Sequence, residues 1–149
     1  MNDDSALFRL FNEIGIISQL SEKLFESVMP KGMTLAQFII LNHFERLGGE
    51  RSPAELASIF QVTRATMTST LQKLAGKGLV DIKPNLTDGR AKRVTISESG
   101  KMMRRDCIAA VRPQIARIEA LFAQARIDAL LPGLGDLRQV LDQDRQPNP

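Results

Sequence analysis

Between Ser52 and Ile96 the chain is punctuated so closely by helix and turn signals that few folds can accommodate it. Ser52 is a helix N-cap, Pro53 suits the first helical position and Glu55 follows three residues after the cap, so a short helix starts here and ends near Phe60. Gln61 and Val62 turn the chain, and Thr63 caps a second helix with an apolar stripe at Met67, Leu71 and Leu74. Gly78 fits the left-handed position behind its last turn, with Leu79 folding back toward Leu74 in a Schellman motif. Leu79 to Lys83 and Lys92 to Ile96 then alternate apolar and polar residues on either side of Asp88-Gly89, the pattern of a hairpin. A short helix, a tight turn, a capped second helix and a basic hairpin, in that order, predict a winged helix-turn-helix.

The flanks are helical. Leu7, Leu10, Phe11, Ile14, Ile17, Leu20, Leu24, Phe25 and Val28 recur at steps of three and four, predicting one long amphipathic helix that Pro30, Lys31 and Gly32 end. Thr34 and Gln37 form a capping box for the next helix, which Met33 and Phe38 staple and Gly48-Gly49 stops. Ser97 caps a helix expected to reach about Gln124, carrying Cys107, Val111, Ile115, Ile118 and Phe122 on one stripe and a kink at Pro113. The last helix bears Leu130, Leu134, Leu137 and Leu141, with Pro132, Gly133 and Gly135 weakening its first turn and a frayed tail from about Gln143. The expected fold is therefore mainly α with a small β-hairpin wing. Residues 33–96 form the winged lobe, and 1–32 with 97–149 form a helical dimerisation region, because a domain this small cannot cover such long apolar stripes by itself.

Charge is distributed unevenly. Residues 61–105 hold ten Lys/Arg and three Asp/Glu, whereas 1–60 hold five and eight and 106–149 hold five and six. A cationic middle between neutral or acidic flanks is the footprint of a surface aimed at a polyanion, although a solvated face can carry such charge too. With Met67, Leu71 and Leu74 inward, the opposite side of their helix presents Ala65, Ser69 and Gln72, flanked by Thr66, Thr68 and Lys73. No acidic residue lies between Thr63 and Gly78. Short hydroxyls allow close approach to base edges, Ala65 and the threonine methyls suit thymine methyls, and Arg64 and Gln72 reach base edges or phosphates. Lys83, Arg90, Lys92 and Arg93 surround the hairpin turn. An arginine at such a tip fits a narrow minor groove, and Asp88 is placed to steady the Arg90 guanidinium. In the plainer alternative Asp88-Gly89 only makes the turn and Arg90 is solvated.

Taken together, several runs resemble the MarR family of bacterial regulators. They are Met33-Thr34-Leu35-Ala36-Gln37-Phe38 with Leu41, Ser52 to Ala57, Val62 to Thr68, Leu74 to Val80, and Asp88-Gly89-Arg90 ahead of Val94 to Gly100. The Gly-Leu-Val helix stop, the Asp-x-Arg wing and the Ile96-Ser97-Glu98-Ser99-Gly100 run are specific in combination. The lack of a membrane-length apolar stretch and of a basic-then-apolar N-terminus leads to the expectation of a cytoplasmic protein; the resemblance covers nearly the whole chain and implies an obligate homodimer, with its first and last helices interleaved and two lobes in adjacent major grooves of double-stranded DNA. Its operator would be pseudo-palindromic, with half-sites roughly 10 base pairs apart. By the resemblance, recognition residues fall on Arg64, Ala65, Thr66, Thr68 and Ser69, and the minor-groove arginine on Arg90 supported by Asp88. A repressor released by a small aromatic or phenolic effector is the implied activity.

Few residues speak to the effector. His43 and Met33 are weak candidates; Met29, Met102 and Met103 offer further thioethers, which more often fill cores. The resemblance places reactive cysteines of peroxide sensors in the first helix, where this chain has none, and Cys107 lies on an apolar stripe. Redox sensing by Cys107 and a winged helix used for protein contacts alone are the rival readings. One histidine and one cysteine cannot assemble an ordinary structural zinc site, and no nucleophile, base or carboxylate cluster suggests an enzyme or a cofactor. No apolar run approaches the roughly 20 residues of a membrane helix.

Overall fold

In a computed structural model that describes residues 5–87 and 91–145, the elements run α1 (Ala6–Val28), α2 (Leu35–Leu47), α3 (Pro53–Phe60), α4 (Arg64–Gly76), β1 (Val80–Pro84), β2 (Lys92–Ile96), α5 (Glu98–Leu121) and α6 (Gln124–Arg145). Contacts divide the chain into Met1–Val111 and Arg112–Pro149, so the boundary falls inside α5.

The first unit is built around Ile40, Leu41 and Phe44 of α2, Leu56 and Ala57 of α3, Met67, Leu71 and Leu74 of α4, Val80 and Val94 of the strands, and Cys107 and Val111 of α5. The expected caps form. Thr34, Ser52 and Thr63 each accept a hydrogen bond from the amide three residues on, and Ser5, which was not expected as a cap, does the same for α1. Gly78 adopts φ +72°, and the amides of Gly78 and Leu79 donate to the carbonyls of Ala75 and Leu74, the paired bonds of a Schellman motif. Ser97 accepts from the amide of Gly100 and donates to the carbonyl of Gly78, joining the start of α5 to the end of α4. Gly100 is required there: a Cβ at this position would lie 2.1 Å from the Leu79 carbonyl oxygen.

Several expectations are corrected. Only half of the capping box at Thr34 is made, because Gln37 is buried and its side-chain oxygen accepts from Lys77 at 2.8 Å. The first strand begins at Val80, since Leu79 is held by the helix stop and gives its carbonyl to the amide of Ser97. β1 and β2 pair antiparallel from Val80 opposite Ile96 to Pro84 opposite Lys92, and Arg51 adds a bridge to Val94 that turn and strand signals did not reveal. In α1, Leu24, Phe25 and Val28 are half-buried, while Leu7, Phe8, Leu10, Phe11, Ile14, Ile16, Ile17 and Leu20 are exposed and no residue of the helix is fully buried.

In the second unit α5 runs through Pro113 and stops at Leu121 rather than near Gln124. α6 begins at Gln124, not near Leu130, because the Ala123 carbonyl accepts from the amides of Arg126 and Ile127 and Gln124 donates to Asp128. Pro132, Gly133 and Gly135 therefore lie in the helix interior, where a proline costs about 3 kcal/mol. The helix also continues to Arg145, past the expected fraying at Gln143, and residues 146–149 lie outside the described set. No residue of α6 is buried, and Leu130, Leu131, Leu134, Val140 and Leu141 are all exposed.

Candidate nucleic-acid interface

The turn between α3 and α4 is made by Gln61 in the left-handed region, φ 57°. Its amide and that of Val62 close back on Ser58 and Ala57, so α4 leaves α3 after a turn of three residues. Thr63 then accepts from the amide of Thr66 at 3.1 Å and donates to its hydroxyl at 2.9 Å.

Arg64, Ala65, Thr66, Thr68, Ser69, Gln72 and Lys73 are all exposed, and Met67, Leu71 and Leu74 are buried beneath them. The structure brings the predicted helix residues together as one uninterrupted polar surface with no carboxylate of its own. Arg64 stands at the helix N-terminus, where unpaired amides and the helix dipole add positive potential.

On the hairpin, Val80, Ile82, Val94 and Ile96 face the core, while Lys83 and Arg93 are direct cross-strand partners on the other face. The Arg51 bridge, made by two backbone bonds to Val94 of 2.8 and 3.1 Å, holds the base of the wing. Near the tip, Asn85 donates its amide to Ala91 and its side-chain oxygen accepts from the amide and hydroxyl of Thr87. Lys92 is exposed. Arg93 is engaged: one guanidinium nitrogen lies 3.5 Å from a Glu55 carboxylate oxygen of α3. Asp88, Gly89 and Arg90 lie outside the described residues.

Sequence reasoning missed three connections. Lys77 donates to the Gly32 carbonyl and to Gln37, with the Met33 sulfur 4.0 Å away, tying the end of α4 to the start of α2. Arg104 of α5 donates to Asn42 of α2 at 3.0 Å. Glu55, read only as part of a helix start, is the anion paired with the wing. Long-range polar pairs of this kind leave no periodic trace in a sequence.

The two effector candidates are packing residues here. Met33 is in the core. His43 sits edge-on to the rings of Phe44 and Phe60, and its Nε2 is buried with no hydrogen-bond partner among the described residues. Burial, then the positive charges of Arg51 and Arg46, hold its pKa below the usual histidine range. A cavity of about 400 Å³ is lined instead by Phe44, Glu45, Gly48, Gly49, Thr95, Ile96 and Lys101. Met29 is in the core and Met102 is exposed. Cys107 is buried, and burial followed by the Asp106 charge raises its thiol pKa, with Lys77 acting the other way. Among the described residues no group of His, Cys, Asp or Glu could hold a metal, and no helix is long and apolar enough to cross a membrane.

Residues 31–91 match the model of the MarR family. The fold is similar to that of the transcriptional regulator BldR from Sulfolobus solfataricus, with a TM-score of 0.80 and 26% identity over 93% of this chain and 99% of that one. A cysteine-to-serine mutant of Escherichia coli MarR, solved with operator DNA, gives 0.77 and 23% identity over 88% and 94%. BpsR of Bordetella bronchiseptica, whose DNA binding is regulated by 6-hydroxynicotinic acid, gives 0.75 and 18% over 87% and 98%.

Proposed function

We propose that the chain, whose residues 31–91 match the model of the MarR family, is a member of that family and a homodimeric repressor of a pseudo-palindromic operator. The exposed face of α4 carries this reading: seven small, polar or cationic residues without a carboxylate suit a phosphate-lined groove and little else. Ala65, Thr66, Thr68, Ser69 and Gln72 meet base edges; Arg64 and Lys73 meet base edges or the backbone. Lys92 and Arg93 contact phosphates, and Arg90, supported by Asp88, enters the minor groove.

Residues 33–96 form the DNA-binding lobe, and 1–32 with 97–149 form the dimerisation region. The uncovered apolar side chains of α1 and α6 support dimerisation, since each full burial is worth about 1.5–3 kcal/mol. An aromatic or phenolic effector releases the operator by favouring a lobe spacing that the DNA does not accept. The regulation of BpsR by an aromatic acid supports that class of effector.

Selection from random duplexes, followed by anisotropy titration at two salt concentrations, tests the reading. The expected result is a two-fold site with half-sites roughly 10 base pairs apart and a steep salt dependence. Absence of duplex binding at low salt would instead support a winged helix used for protein contacts. Titrating aromatic acids into the complex then tests effector release.

A further inference from the structure

Lys83 and Arg93 face each other directly across the wing, on the side away from the core. Like charges at opposed strand positions repel, so this pair calls for a counter-anion. Asp81 shares the face but makes no ion pair among the described residues. The anion comes from another element: Glu55 in the first turn of α3 places a carboxylate oxygen 3.5 Å from the Arg93 guanidinium. The contact is single and monodentate, and the two side chains are 36% and 51% exposed. It is therefore weak and open to a competing anion. The backbone at Arg93 is fixed, because Arg93 pairs with Lys83 of β1 and the next residue, Val94, exchanges both of its backbone bonds with Arg51.

We infer that Glu55 is an exchangeable stand-in for a DNA phosphate, neutralising Arg93 in the free protein and yielding it to the backbone when the wing docks; the inference rests on the DNA-binding reading above. A carboxylate and a phosphate diester both offer an anionic oxygen, but a guanidinium bonds a phosphate in two-pronged fashion, and counterion release adds to the exchange. Glu55 thus lowers affinity without touching DNA.

A double-mutant cycle on the full-length protein tests this. Binding of the selected duplex is titrated at several salt concentrations for wild type, Glu55→Gln, Arg93→Gln and the double variant, with thermal melts alongside. Glu55→Gln should tighten binding roughly two- to fivefold, the range set by an exposed ion pair. Arg93→Gln should weaken binding and flatten the slope of log K against log salt by about 0.9, one phosphate contact. In the Arg93→Gln background, removal of Glu55 should change nothing. Glu55→Asp, whose shorter arm draws the carboxylate away from Arg93, should follow Glu55→Gln and substitutes for it if the glutamine variant folds poorly. A gain that persists in the Arg93→Gln background would mean that Glu55 acts as a general repulsive charge and would overturn the exchange. Weaker or unchanged binding by Glu55→Gln at unaltered melting temperature would overturn it too. If wild type binds no duplex, the functional reading fails; if it binds and the cycle shows no coupling, only the exchange fails.

Discussion

Lys77, at the C-terminal cap of α4, donates a 2.8 Å hydrogen bond to the side-chain oxygen of Gln37, a residue only 4% exposed on α2. The same ammonium also donates to the carbonyl of Gly32. Lys77 is exposed overall, yet its ammonium pegs the end of α4 to the loop before α2. Lys77→Ala leaves the buried Gln37 oxygen without this donor, so it should destabilise the fold by about 1–3 kcal/mol. Urea unfolding checks this, and a loss below about 0.5 kcal/mol would show that water replaces the ammonium at no cost.

Gly100 and Gly76 should respond in opposite ways to alanine. At Gly100 a methyl would collide with the Leu79 backbone, and relief requires α5 or β1 to shift, at a cost of about 1–3 kcal/mol or more. At Gly76 a methyl meets nothing within 4 Å, and the position is helical, so alanine should stabilise by up to about 1 kcal/mol. Paired thermal melts of the two variants test the packing of α5 on the strand.

Acid should weaken the fold through His43. Above pH about 6.5 the imidazole is neutral both folded and unfolded, and it adds no pH dependence. Below that value the unfolded chain binds a proton that burial, Arg51 and Arg46 oppose in the folded chain, so stability falls with pH down to the lowered folded pKa. Unfolding free energies measured between about pH 7.5 and 5.5 should decline more steeply in wild type than in His43→Phe. Equal slopes would contradict the lowered pKa of this half-buried imidazole.

Cys107 should be inert in the native protein. Its side chain is inaccessible and its thiol is held protonated by burial and by Asp106. Labelling by a thiol-specific reagent should proceed only as the protein unfolds and finish rapidly in denaturant. Labelling of native protein at the rate of a free thiol would reopen oxidation as the signal.

Gln72→Ala should lower discrimination at one operator base pair by about 1–3 kcal/mol without moving the melting temperature, because the side chain is exposed. Affinities for a panel of single-base operator variants measure this. Uniform weakening across the panel would assign Gln72 to the phosphate backbone.

What sequence conveyed best was local. Ser52, Thr63 and Gly78 fix helix ends through bonds spanning three to five residues, and all three behave as their residue types require. The apolar stripe of α4 likewise determined which of its residues face outward. Partnerships across the fold were not legible. Glu55 and Arg93, Lys77 and Gln37, and Arg104 and Asn42 are brought together only once the helices and wing have packed. Gln37 had two plausible uses, the cap and the core, and burial selected the second. The start of α6 was misplaced because Pro132 and two glycines read as a weak beginning, whereas residues 124–131 supply enough helix formers to carry the chain through them.

The first four turns of α1 bury no side chain in this chain's own interior, for Leu7 through Leu20 are all exposed. A lone helix in water is marginal even when composed of good formers. Dilution should therefore be felt earliest at the amino end: as protein concentration falls, backbone amides along that stretch should exchange their hydrogens with solvent sooner than those of α2, whose Leu41 and Phe44 are anchored within a single copy.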